Sequence, residues 1–499
     1  DVIWWSVPFE GKQTYNARFH RGFVISVTDP QYIETGSGGG YRINNGGNVV
    51  ANWGTTFIEN ISSPILLEAV PPSDWVFGYW SDGSTMNPRQ LIPTDHTTLY
   101  ATFKLHLKSN SSTATAPNSQ RKVIRDADGR YHAVYESGGE IFYLVSADNG
   151  NTWSNEMILS AYPTGLTHAN RSPSLTVVDD PHAIFVVWEM YLDGETDRER
   201  KVVFSAIDLA SGIATMPQEI AHLIFSPPRT FSTVPVIASG VSKEPSHDRY
   251  FVFVWYDGTT NTIKGGVARA DMTQWYATTN LRTNVTIQPQ ISIAPISKAP
   301  LGLEDGGDET GTGTPWQLAW VENNILMYGD MEVSGALTLN HIFTLAAPTA
   351  GAVYEPSATN FGQLSTNLAG IAWGESIGDF AWYVIKYREQ QSGTTWNAVT
   401  NVWSDLQYGN YRRPSVASSD GSDIVSLTWE SVHGQSIRSV QRQATGWSSE
   451  VTLAQGINPS ASVGYSAGTP GIVLSRGTTT PYAIQASPIV SAPTQPLSI

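Results

Sequence analysis

The chain has no cysteine among its 499 residues, which excludes thiol nucleophiles, disulfide staples and cysteine-ligated metals. It is short of cations: 29 Lys and Arg stand against 44 Asp and Glu, a formal net charge of −15. With no basic stripe, neither a nucleic-acid partner nor binding to an anionic membrane surface is expected. Long apolar runs are missing as well. The run YFVFVWY at 250–256 is typical of the longest, far short of the ~20 residues that cross a bilayer, so membrane insertion is not expected. No helical periodicity of useful length appears either. A start at Asp1 rather than Met, with a Ser/Thr/Asn/Gly-rich and Lys-poor composition, fits a processed, extracellular chain, secreted or at the cell surface.

What the sequence does contain is a repeat, beginning near residue 118. Each unit opens on a short strand, usually with Pro-Ser: RSPSLTV (171–177), STVPVIA (232–238), YEPSATN (354–360), RRPSVAS (412–418) and NPSASVG (458–464). A second strand ends in an aromatic and an acid, as in AVYE (133–136), VVWE (186–189), AWGE (372–375) and LTWE (427–430). After a third strand comes a turn with Trp153, Trp275, Trp396 or Trp447. Units start roughly 45–65 residues apart, the period of four-stranded propeller blades. Seven first strands can be counted from Arg121, the fourth degenerate near Pro300–Pro315. A pair of β-sandwiches would also show many short strands, but the recurring order of the three signals favours blades.

The expected fold is therefore all-β: a seven-bladed (alternatively six-bladed) β-propeller over 118–489, with a small N-terminal β domain at 22–106. An apolar arm (1–21) precedes that domain, a polar linker (107–117, LKSNSSTATAP) follows it, and a tail (490–499) ends the chain. The last unit supplies three strands and lacks its outer fourth, and an open edge leaves backbone groups unpaired. Either the tail or the arm could fill the gap, in the same ring or in a neighbour's. Ile3, Trp4, Trp5, Val7 and Phe9 of the arm are the candidate assembly residues, with copies of the same chain as the expected partner.

The turn SADNGNTWS (146–154) carries Ser146, Asp148, Gly150, Thr152 and Trp153 in the spacing S-x-D-x-G-x-T-W. This resembles the Asp-box of sialidases and related bacterial-neuraminidase-repeat propellers. The resemblance covers roughly 118–489 and implies a structural turn joining the two outer strands of a blade, away from the catalytic face. Within WVFGYWSDGSTMNPRQLIPTDHTTLYATF, Trp80, Asp82-Gly83 and Asn87-Pro88-Arg89 resemble divergent internalin-B-type bacterial repeats. Such modules imply a spacer or stalk on an exported protein.

In blades, the ends of second strands and the starts of first strands share one face. Glu136, Glu189, Glu375 and Glu430 would then lie near the channel rim, with Arg171, Arg412, Arg413 and Glu355 close by. Convergent carboxylates and arginines suit sugar binding, or acid and base work in glycoside hydrolysis. The sialidase resemblance implies arginines that clamp a carboxylate, loosely matched by Arg171-Ser-Pro and Arg412-Arg-Pro. It also implies a Tyr-Glu nucleophile pair, for which Tyr354 with Glu355, Glu189 and Glu430 are candidates. No residue matches that family's Asp acid/base, and no catalytic set is assigned. The other reading of the repeated Trp-Glu is a device that joins blades, its carboxylate accepting bonds from a neighbour. The acidic loop GLEDGGDETGTG (302–313) offers Glu304, Asp305, Asp308 and Glu309 as hard ligands for Ca²⁺, the one cofactor considered, or as a solvated loop.

Two functions follow. One is a non-enzymatic extracellular protein, structural or adhesive, that assembles into filaments or a surface layer through its N-terminal strand. The other is a sialidase-like glycoside hydrolase or a carbohydrate-binding lectin, with glycans as partners.

Overall fold

The structure is a computed structural model. It describes residues 23–27, 40–43, 50–51, 56–58, 64–71, 75–80, 82, 84, 86–91, 98–154, 156–160, 168–179, 182–192, 199–225, 232–241, 249–285, 290–294, 316–333, 336–348, 351–361, 368–377, 382–392, 394–403, 411–418, 424–431, 435–443, 446–461, 471–476 and 482–489. Every regular element among them is a β-strand. The chain divides into two compact units, the second beginning at Leu107.

The first unit holds two four-stranded sheets. Phe23–Val27 pairs in parallel with Thr98–Leu105 in one, and Gly40–Ile43 lies beside Ile65–Val70 in the other. The residues quoted from its repeat-like motif hold one corner. Asn87 bridges Ala69 with two 2.7 Å bonds, Nδ2 donating to the carbonyl and Oδ1 accepting from the amide. Arg89 grips Asp82 through two parallel 2.7 Å bonds, and the buried Trp80 donates its indole N–H to the Met86 carbonyl at 3.0 Å. Side chains at fixed offsets thus take the place of a ladder where the chain turns.

The second unit is a ring of seven antiparallel blades. Their innermost strands are Val123–Arg125, His168–Asp179, Val236–Val241, Ile291–Ala294, Val353–Phe361, Tyr411–Ser418 and Ile457–Ala461. The count is seven, not six. Second strands are apolar on both faces, because each lies between neighbours in its own sheet and is packed by the blades on either side. Trp188, Trp255, Trp320, Trp373 and Trp429 on these strands are all at most 1% exposed.

The Trp turns act as staples between blades. Trp396 of blade 5 packs on Tyr328 of blade 4, with ring centroids 4.8 Å apart and planes near perpendicular. Trp447 of blade 6 meets Tyr387 of blade 5 at 5.1 Å in the same edge-on manner, and Trp275 of blade 3 reaches Phe204 of blade 2 at 4.9 Å. The SADNGNTWS turn joins the third and fourth strands of blade 1, Glu140–Ser146 and Met157–Ile158. Asp148 organises it: one carboxylate oxygen accepts the Thr152 amide at 2.8 Å, and the other accepts the Thr152 hydroxyl at 2.6 Å. The Thr152 hydroxyl and amide bonds hold the Asp148 pKa down to about 2. Gly150 sits at φ 83°, where a Cβ would be strained.

Closure of the ring departs from the sequence expectation. The seventh blade has its fourth strand, and neither terminus supplies it. Lys108–Ser109, in the segment expected to be a linker, pairs antiparallel with Tyr482–Pro488. Around it, the Ile484 amide donates to the Leu107 carbonyl at 2.8 Å, Ser109 Oγ donates to the Glu136 carbonyl of blade 1 at 2.7 Å, and Thr115 Oγ1 donates to the Asn458 carbonyl at 2.8 Å. The chain thus stitches blade 7 to blade 1 before the first blade begins. The open edge expected to receive the arm or the tail is occupied. Ile3, Trp4, Trp5, Val7 and Phe9 lie outside the described residues, as do the tail 490–499 and Glu304, Asp305, Asp308 and Glu309.

Candidate functional site at the channel mouth

The inner strands begin with an unusual backbone. The residue before proline is left-handed in five blades: Ser172 (φ 53°), Val234 (42°), Glu355 (51°), Arg413 (55°) and Asn458 (51°). None is glycine, and Val234 is β-branched, so each position is strained. Proline at the next position already steers its predecessor away from the right-handed region. In four of these blades the register breaks here, between Arg171 and Ser174, Tyr354 and Ser357, Arg412 and Ser415, and Ile457 and Ser460. Such bulges re-aim side chains, and here they do so around one mouth of the channel.

The acids that end the second strands hold this geometry. Glu189 is fully buried and reaches blade 3, accepting from the Thr233 amide at 2.9 Å and from Ser232 Oγ at 2.6 Å. The buried Arg200 stands 3.5 Å away. Burial pushes the Glu189 carboxyl up, against the pull of Arg200. Glu430 accepts the Asn458 amide of blade 7 at 3.0 Å and pairs with Arg413 at 2.7 Å. Arg413 in turn donates its amide to Glu355 Oε2 at 2.7 Å, with its guanidinium 3.7 Å from Oε1. Glu375 is spent locally, on Lys386 at 2.6 Å and the Trp373 indole at 3.4 Å. Tyr354 and Arg412 are half-buried on blades 5 and 6.

Three of the sequence candidates meet in one cavity of about 300 Å³: Glu136 of blade 1, Arg171 of blade 2 and Glu355 of blade 5. Thr113, Asn118, Ser119, Ser172, Ser232 and Gln290 complete the polar part of its wall. Arg171 is exposed, its guanidinium stacked 5.0 Å over the Tyr191 ring. Burial pushes the Glu136 carboxyl up, while Arg171 and a 3.2 Å bond from Ser111 Oγ pull it back. Burial raises Glu355 too, against Arg413.

Sequence reasoning missed the residues that plug the channel. The run Asn118-Ser-Gln-Arg-Lys122 is buried throughout. Asn118 Nδ2 donates to the Pro414 carbonyl and, at 3.3 Å, to that of Glu355. Gln120 Nε2 donates to the carbonyls of Ser172 (2.7 Å) and Pro235. Lys122 Nζ donates to the Pro173 carbonyl and to Gln120 Oε1 at 2.7 Å. One polar run thus binds carbonyls at the left-handed, proline-flanked positions of blades 2, 3, 5 and 6. It occurs once in the chain, so no repeat pattern announced it.

Among the described residues one other acidic cluster could suggest a metal: Asp126, Asp128 and His182. Its cation is Arg130, 2.7 Å from Asp126 and 2.9 Å from Asp128. Burial alone would raise Asp126, but bonds from His132 and Arg130 outweigh it and hold its pKa near 2.

No family model matches the chain, and no curated protein matches it. Solved structures of similar fold include the fucose-specific lectin from Aleuria aurantia, 12% identical, with a TM-score of 0.39 over 69% of this chain and 98% of that one. The NanB sialidase from Streptococcus pneumoniae is 12% identical, with a TM-score of 0.40 over 78% and 69%. The alpha-L-arabinanase of Penicillium chrysogenum is 12% identical, with a TM-score of 0.39 over 77% and 96%. These likenesses are of fold alone.

Proposed function

We propose that this protein binds a glycan in the cavity at the channel mouth, as an exported lectin-like module. The observation that carries the reading is the convergence of Glu136, Arg171 and Glu355, from three separate blades, on one space of about 300 Å³. That volume is at the lower end for small-molecule sites. Sugar hydroxyls both donate and accept, and this wall offers carboxylates, amides, serine and threonine hydroxyls and an exposed guanidinium. Asn118 Oδ1 is a buried acceptor with no partner among the described residues. Arg171 favours a glycan that carries a carboxylate, since a guanidinium matches that group with two parallel bonds.

A second reading is hydrolysis of an acidic glycoside. It is favoured by the two carboxyls that burial raises beside the cavity, Glu136 and Glu355, since an upward shift is the direction a general acid requires. Self-assembly by strand donation has lost the open edge that motivated it.

The test is a glycan array followed by calorimetric titration of any hit. Arg171→Ala should weaken binding of an acidic glycan at least ~10-fold, the loss of about one charge-assisted bond, with Tm unchanged. Binding of no neutral or acidic glycan overturns the lectin reading. Turnover of a fluorogenic sialoside, lost in Glu136→Gln, would establish the second.

A further inference from the structure

Below the mouth, the plug and the inner strands enclose a second, much smaller space of about 10 Å³. That is room for one water-sized species, too small for a sugar or an oxyanion. Arg121 lines it, with Ser119 and Ser174. Arg121 is only 8% exposed, yet its Nε and Nη1 have no hydrogen-bond partner among the described residues. The hydroxyls of Ser119 and Ser174 are likewise buried and unpartnered. Further round the same wall, Ser292 and Ser357 accept the Ala358 and Val416 amides at 3.1 Å each, which leaves each hydroxyl its own proton to donate.

The unpartnered atoms of the lining are mostly donors, with Asn118 Oδ1 the exception. A guanidinium stays charged at neutral pH, and burial, which lowers Arg121 only to about 10, does not change that. Among the described residues no carboxylate pairs with it. A buried charge without a counter-ion is strongly disfavoured; the two guanidinium nitrogens can only donate, and the two free hydroxyls can turn their protons toward the same ligand. We infer that the propeller channel holds a single monatomic anion, of the halide class, bound to Arg121 and the hydroxyls of Ser119 and Ser174. The site is separate from the glycan cavity, although Asn118 and Ser119 of the plug border both. A ligand here would tie the plug to blade 2 from within, a structural role that does not depend on the glycan reading.

The experiment uses the full chain. Crystals grown in sodium bromide, with data collected at the bromine absorption edge, should show one anomalous peak in the channel beside Arg121. In solution, replacing gluconate by bromide at constant ionic strength should raise the wild-type Tm by about 2–4 °C, saturating as one site does. Arg121→Met should lose that dependence while keeping the general salt response. A channel holding water alone, or a Tm response identical in wild type and Arg121→Met, overturns the proposal. If the variant does not fold, the bromide map of the wild type decides alone.

Discussion

Glu189 and Glu375 both lie near the ends of second strands, but one residue apart in register: Arg171 faces Glu189, whereas the corresponding Tyr354 faces Gly374. Glu189 satisfies a backbone amide of the next blade and lies against Arg200, both buried; Glu375 pairs with Lys386, which keeps 20% of its side chain in solvent. Removing one partner of a buried pair strands the other charge; Lys386, with 20% of its side chain in solvent, is rehydrated more readily than Arg200 at 1%. Glu189→Ala should therefore cost about 3–5 kcal/mol in denaturant unfolding and Glu375→Ala less, about 1–2 kcal/mol. Equal losses would show that the contact to blade 3 carries no special weight. The recurring aromatic-then-acid pattern revealed both acids, Glu189 directly after Trp188 and Glu375 one residue later, after Trp373-Gly374. That one-residue offset turns Glu375 to the other face of its strand, toward Lys386 of its own sheet. Asn118, Gln120, Lys122 and Gln290 were illegible because each fills a place that no other blade repeats.

At the scale of strands and turns, the ring depends on aromatic staples. Trp396 adds edge-on contacts with Tyr328 and Phe343 to the burial of its indole. Its removal should cost about 2–3 kcal/mol, less than the ~3–5 kcal/mol of a fully enclosed tryptophan, because its site is only half-buried. Trp373→Ala, on the enclosed second strand of the same blade, is the internal comparison by equilibrium unfolding. If the two lose the same stability, the turn is packed more tightly than its exposure indicates. Blades were readable because a second strand packed on both faces needs a continuous apolar run, and because the turn tryptophans recur. The closing strand was not readable. Lys108–Ser109 is two residues long, sits in a polar run without alternation, and is defined only by a partner more than 370 positions away.

At the scale of the whole molecule, the segment before the first blade closes the ring onto the strand that ends the last. It then continues as the plug that walls both the cavity at the channel mouth and the smaller space below it. A self-closed ring keeps the strained mouth residues in place and needs no second copy to complete it. The absence of cysteine makes this directly measurable. Lys108 and Ala483 face each other across the closing pair. In the double variant Lys108→Cys, Ala483→Cys, mild oxidation should give a disulfide within one chain at every protein concentration. It should be seen as a monomer on a non-reducing gel, with a mass lighter by two hydrogens. Disulfide-linked dimers that increase with concentration, or two thiols that stay free under oxidant, would contradict closure by the chain's own residues.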